Sequence, residues 1–146
     1  MIRQAPMCRP PQSRRRAAAS VEFAVLAPFL FFLAMGAFEV GRAIMVREVL
    51  TDAARKGCRT GALPGNASAN IIADVNDILT DNNIPTSYAA VAILVNGAAV
   101  DASTAVSGDQ ISVKVSVPYS KAAWTPLMFF NGSSVDSETL VMMRQG

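Results

Sequence analysis

The chain has 146 residues, a formal net charge of +2 and a 51% hydrophobic composition, a size that allows one domain with a tail. It has no His and only two cysteines, Cys8 and Cys58. That removes the commonest general base and metal ligand, excludes a disulfide framework or four-ligand zinc site, and argues against most enzymes.

Charge divides the chain. Residues 1–16 hold five Arg and no acid, residues 17–61 carry +1, and residues 62–146 carry −4. No basic face or stacking aromatics follow the Arg-rich start, so a nucleic-acid partner is not expected. Instead Arg14, Arg15 and Arg16 abut an apolar run, as on the cytoplasmic flank of a membrane segment.

Residues 17–38 comprise 22 positions, of which 18 are apolar and only Glu22 is charged. As a helix this run spans roughly 33 Å, about the thickness of the bilayer's hydrocarbon. Ten of its residues are Leu, Val or Phe. Together they contribute about −3 to −6 kcal/mol to insertion, enough to outweigh one carboxylate near the interface. A single transmembrane helix is expected at about residues 18–38. Beyond it, Arg42, Arg47, Arg55 and Lys56 alternate with Glu39, Glu48 and Asp52. The Arg triplet therefore sets the orientation, with the N-terminus in the cytoplasm and the remainder exported. A cleavable signal peptide would share these features, with Ala34-Met35-Gly36 as its cut site. Glu22 inside the apolar run, and helical spacing that continues past the cut, count against it.

That spacing runs through Ala43, Val46, Leu50, Ala53, Ala54, Gly57 and Cys58, and breaks at residues 61–65, where Pro64 stops a helix. One helix over residues 18–61 is expected, roughly 66 Å long, with Pro28 kinking it. Gly57 and Gly61 have helix-contact spacing, but a helix running out at Gly61 is the favoured reading. Cys58 falls on the packed stripe as a small core residue.

Residues 68–82 read as a short helix, with Ile71, Ile72, Val75, Ile78 and Leu79 on one face. Asp74, Asp77 and Asp81 take the opposite face, solvated rather than holding a cation. Strand periodicity follows. Val91, Ile93 and Val95 alternate before an Asn96-Gly97 turn, and Ile111, Val113, Val115 and Val117 alternate up to Pro118. Residues 134–144 have strand composition, and Asp136 and Glu138 are placed to pair with Lys114. Trp124, Phe129 and Phe130 mark an apolar loop, either core or a contact surface. The expected fold class is α+β: a long N-terminal helix, its lower half transmembrane, packed on a small antiparallel sheet with one extra helix. Three regions result: a basic cytoplasmic leader at 1–17, the long helix at 18–61, and an exported α+β domain at 62–146.

The Arg14-Arg15-Arg16-Ala17-Ala18-Ala19-Ser20-Val21-Glu22-Phe23 start, then Pro28, then Phe38-Glu39-Val40-Gly41-Arg42, resembles the TadE-like proteins. These are pseudopilins of tight-adherence (Tad/Flp) pilus systems, related to type IV pilins. The resemblance runs most closely from about Arg14 to Arg59. It implies a pilin-like fold and a bacterial inner-membrane location. It also implies prepilin-peptidase cleavage between Ala17 and Ala18, with Glu22 as the fifth mature residue and Phe23 beside it. Ala17 stands where the family usually has Gly. The implied partners are the bilayer, the peptidase, other pilin-type subunits and inner-membrane assembly proteins, with no cofactor, metal or small-molecule substrate. The residues themselves agree: Ala18 and Glu22, four apart, share one helix face, and a carboxylate is favoured near a helix N-terminus. A second reading stays open, that of a signal-anchored membrane protein with an exported binding domain and no pilus role. Cleavage at Ala17 separates the two.

Overall fold

A computed structural model describes residues 12–122 and 132–145, with side chains from residue 18 onward. The first element is a continuous helix, α1 (Gln12–Ala62), 51 residues long with Pro28 inside it. Its start lies six residues before the expected one. Arg and Ala are strong helix formers, and nothing between Gln12 and Ala18 interrupts them. Helical assignment passes through Pro28 without a break. Then come α2 (Ser68–Asp81), β1 (Ala90–Val95), β2 (Gln110–Pro118), α3 (Tyr119–Ala122), β3 (Ser134–Asp136) and β4 (Leu140–Met143). The chain forms two compact units, Met1–Ala37 and Phe38–Gly146.

In the first unit α1 is long and apolar enough to cross a membrane. Its large apolar side chains from Val21 to Leu33 are all at least half exposed.

The second unit is α+β. β2 is the central strand, antiparallel to β1 on one side and to both β3 and β4 on the other. The strict alternation of β2 buries Ile111, Val113, Val115 and Val117 on one face. Against that face pack Val46, Leu50, Ala53, Ala54 and Cys58 of α1 with Ile71, Val75 and Leu79 of α2. The extended-chain stripe on α1 thus covers the sheet, as its small residues suggested. Their smallness has a direct cause. A Cβ on Gly57 would sit 2.9 Å from Val75 Cγ2, and one on Gly61 would sit 2.9 Å from Ile71 Cδ1 and 3.0 Å from Ile111 Cγ2. Both glycines are close-approach positions between α1, α2 and β2, and this corrects the reading of Gly61 as merely the helix running out. The helix does end one residue later, at Ala62.

Other details depart from expectation for local reasons. Asn96 and Gly97, both at positive φ, make a tight turn in which Val95 and Ala98 exchange backbone hydrogen bonds at 2.9 Å each. The returning chain pairs at that single bridge and β1 takes β2 as its partner instead. The run at residues 134–144 splits into β3 and β4 because the chain leaves the strand at Ser137. There the Ser137 hydroxyl accepts from Val115 N–H at 2.9 Å and Ser137 N–H donates to Val115 C=O at 2.8 Å, replacing the missing ladder. Ile72 faces solvent rather than the core, while Asp74 is half-buried and accepts from Thr60 Oγ1 beside Lys56. Asp77 and Asp81 are exposed.

Candidate assembly site on the long helix

Ala18, Glu22 and Phe23 lie on α1 within the first unit, and all three are exposed. Ala18 and Glu22 are one turn apart, about 6 Å along the axis, on the same face. The bond between Ala17 and Ala18 is inside the helix, six residues from its start. Arg14, Arg15, Arg16 and Ala17 are helical in backbone, and their side chains lie outside the described residues. Cys8 and the segment holding Trp124, Phe129 and Phe130 also lie outside them.

The second unit puts charge at the next stretch of the same helix. Glu39 is 1% exposed, on an α1 face shared with Val46 and Leu50. Its backbone C=O accepts from the Tyr119 hydroxyl at 2.9 Å, and Arg42 Nη2 donates to Ala122 C=O at 3.1 Å. Burial pushes the Tyr119 hydroxyl's pKa up, the Glu39 charge adds to that and Arg42 opposes it. The backbone carbonyl of Glu39 and the side chain of Arg42 therefore clamp α3 to α1. Nothing in the local sequence around Glu39 and Arg42 points to this contact. The missing signal was Tyr119, since the hydroxyl that reaches α1 is 80 positions away and no local pattern links them.

Asp136 and Glu138, expected on one strand face, take separate partners. Asp136 pairs with Lys114 at 2.8 Å, while Glu138 pairs with Arg47 at 3.4 Å rather than with Lys114. The expected shared face fails because Glu138 lies past the end of β3. The Lys114 hydrogen bond holds the Asp136 carboxyl below the usual range. Cys58 is buried, donates to Leu140 C=O at 3.0 Å, and desolvation raises its thiol pKa, the opposite of an activated nucleophile. Among the described residues no cluster of His, Cys, Asp or Glu is arranged to hold a metal. Two open grooves of about 510 Å³ flank α1. One is lined by Arg47, Glu48, Asp52, Arg55 and Glu138, a mixed-charge surface.

Comparison with known proteins gives one positive result. The sequence model of the TadE-like protein family matches residues 17–59, a segment that takes in Glu22, Glu39, Arg42 and the core stripe of α1. No curated protein and no solved structure matches the chain.

Proposed function

We propose that this TadE-like, pilus-related membrane protein is a pseudopilin: a single-pass subunit acting in assembly of a Tad/Flp-type pilus. One observation carries the reading. The TadE-like match covers residues 17–59, and within it lies an exposed apolar helix whose single charge before Glu39 is Glu22. A carboxylate in such a helix is costly, and intramembrane ionisable residues mark functional positions.

In this reading a prepilin peptidase cuts between Ala17 and Ala18 on the cytoplasmic face, and residues 41–146 are exported across the inner membrane. The new amine of Ala18 is cationic, and the Glu22 carboxylate one turn away, or that of a neighbouring subunit, neutralises it. Because the bond to be cut is helical in the uncut chain, the peptidase must open roughly two terminal turns. Helix ends fray at little cost, so this step is accessible. The exposed Val21 to Leu33 surface then meets lipid and other pilin-type helices.

Intact mass of the protein from native membranes, measured beside a Glu22→Ala variant, is the test. A mature chain starting at Ala18 is the expected result, with Glu22→Ala giving a subunit that no longer co-purifies with other pilin-type subunits. A start at Ala37 would mean a signal peptide and a free exported domain. A full-length chain would support the signal-anchored alternative and sink the processing step.

A further inference from the structure

Glu39, Arg42 and α3 bear on where the second unit meets the bilayer. If hydrocarbon begins at Ala18, its thickness of about 30 Å is used up near Phe38. The headgroup layer adds about 5–8 Å on each side, or about four or five further residues of helix. That places Glu39 to Ala43 among the headgroups. The exposed side chains agree, because Phe38, Val40, Ile44 and Met45 keep α1 apolar on its outer surface beyond the span.

Arg42 lies in this layer and holds Ala122 C=O at 3.1 Å, so α3 is brought to the same level. Lys121, the residue before Ala122, is exposed, and its ammonium sits 4.9 Å from the centre of the Tyr88 ring. Tyr88 is itself 49% exposed. Glu39, the acidic residue of the cluster, is buried, and Arg42 is half-buried with Nη1 on Met45 Sδ at 3.5 Å and Nη2 on Ala122 C=O, so the charge offered to a ligand at this level is Lys121. A half-exposed Tyr carrying a cation is the side-chain chemistry of the bilayer interface, with an apolar ring and a donor for phosphate.

We infer that Tyr88 and Lys121, on an α3 held by Arg42, form a second membrane contact in which they meet the phosphates of anionic lipid. This inference depends on the reading that residues 18–38 span the bilayer. The span alone fixes depth.

The test uses the full chain with Cys8→Ser, reconstituted in vesicles of phosphatidylglycerol and phosphatidylethanolamine. A fluorophore is placed at Ser120→Cys, at Ser103→Cys as a control, or at Phe31→Cys. Buried Cys58 stays unlabelled. A nitroxide on the lipid headgroup is expected to quench the probe at 120 strongly and the probe at 103 weakly. Lys121→Glu, or replacement of the lipid by phosphatidylcholine, should weaken the contact at 120 about fivefold. Equal quenching at 120 and 103, with the probe at 31 quenched by an acyl-chain nitroxide, overturns the contact and leaves the span intact. Quenching at 120 that ignores both the charge reversal and the lipid change overturns the assignment to phosphate. Failure of acyl-chain quenching at 31 sinks the spanning reading, and this one with it.

Discussion

Gly41 and Gly57 sit on the same helix and should respond oppositely to the same methyl group. Gly in a helix interior costs about 0.5–1 kcal/mol relative to Ala. At Gly41 a Cβ meets nothing within 4 Å, so Gly41→Ala should stabilise the chain by about that amount. At Gly57 the same Cβ meets Val75 Cγ2 at 2.9 Å and Ile71 Cγ2 at 3.1 Å. Overpacking of this kind costs about 1–3 kcal/mol, more than the helix gains, so Gly57→Ala should destabilise by roughly 1 kcal/mol. Thermal unfolding of the detergent-solubilised full chain, followed by circular dichroism, checks both. A rise in Tm for both variants would mean that α1 does not approach α2 as closely as described.

Hydrogen bonds set the boundaries of elements here more than hydrophobic period does. Ser137 keeps β2 paired across the gap between β3 and β4 by accepting from Val115 N–H and donating to Glu138 C=O. Ser137→Ala leaves a buried backbone donor without its acceptor, at a cost of about 1–3 kcal/mol. Hydrogen exchange at the Val115 amide should accelerate more than at Val113, whose surroundings are unchanged, and equal protection at both would refute the bridging role. Tyr119→Phe, which removes the hydroxyl bonded to Glu39 C=O, should cost about 1 kcal/mol by the same unfolding assay. α1, α2, β1 and β2 were readable because their burial has a regular period, and the α+β layering followed from matching the small stripe on α1 to the apolar face of β2. The break at Ser137 and the Glu39–Tyr119 clamp were not readable, because each depends on a polar partner far away in the chain. Gly57 and Gly61 were visible as a spacing, but only the positions of Val75, Ile71 and Ile111 say what the spacing is for. Glu22 was conspicuous for the opposite reason: a lone charge in an apolar run needs no tertiary structure to be noticed.

Five ionisable groups of the second unit are moved by folding in one of two directions, and these set the expected pH range of stability. Asp101, whose carboxylate accepts from Ser103 and Ser68, and Asp109, which accepts from Val106 and Asn96, are both held below the usual carboxylate range. Asp136 is lowered by Lys114. A carboxyl depressed by folding contributes stability that is complete above its unfolded value, about 3.9, and is lost as pH falls through the folded one. Tyr119 and Cys58 move up, chiefly through desolvation. For groups raised by folding, stability is intact below the unfolded values of about 10 and 8.5 and declines as pH rises towards the folded ones. The chain should therefore show a plateau from about pH 5 to pH 8, falling on both sides. Two substitutions separate the limbs. Asp109→Asn keeps an acceptor for Val106 N–H and removes the titration, so the acid limb should become shallower while the alkaline limb stays. Tyr119→Phe should make the alkaline limb shallower above about pH 10, leaving the Cys58 part and the acid limb unchanged. Denaturant midpoints of the full chain in micelles, measured across pH 2 to 11, would show it. An acid limb unchanged by Asp109→Asn would mean that the loop joining β1 to β2 is not tied down by that carboxylate.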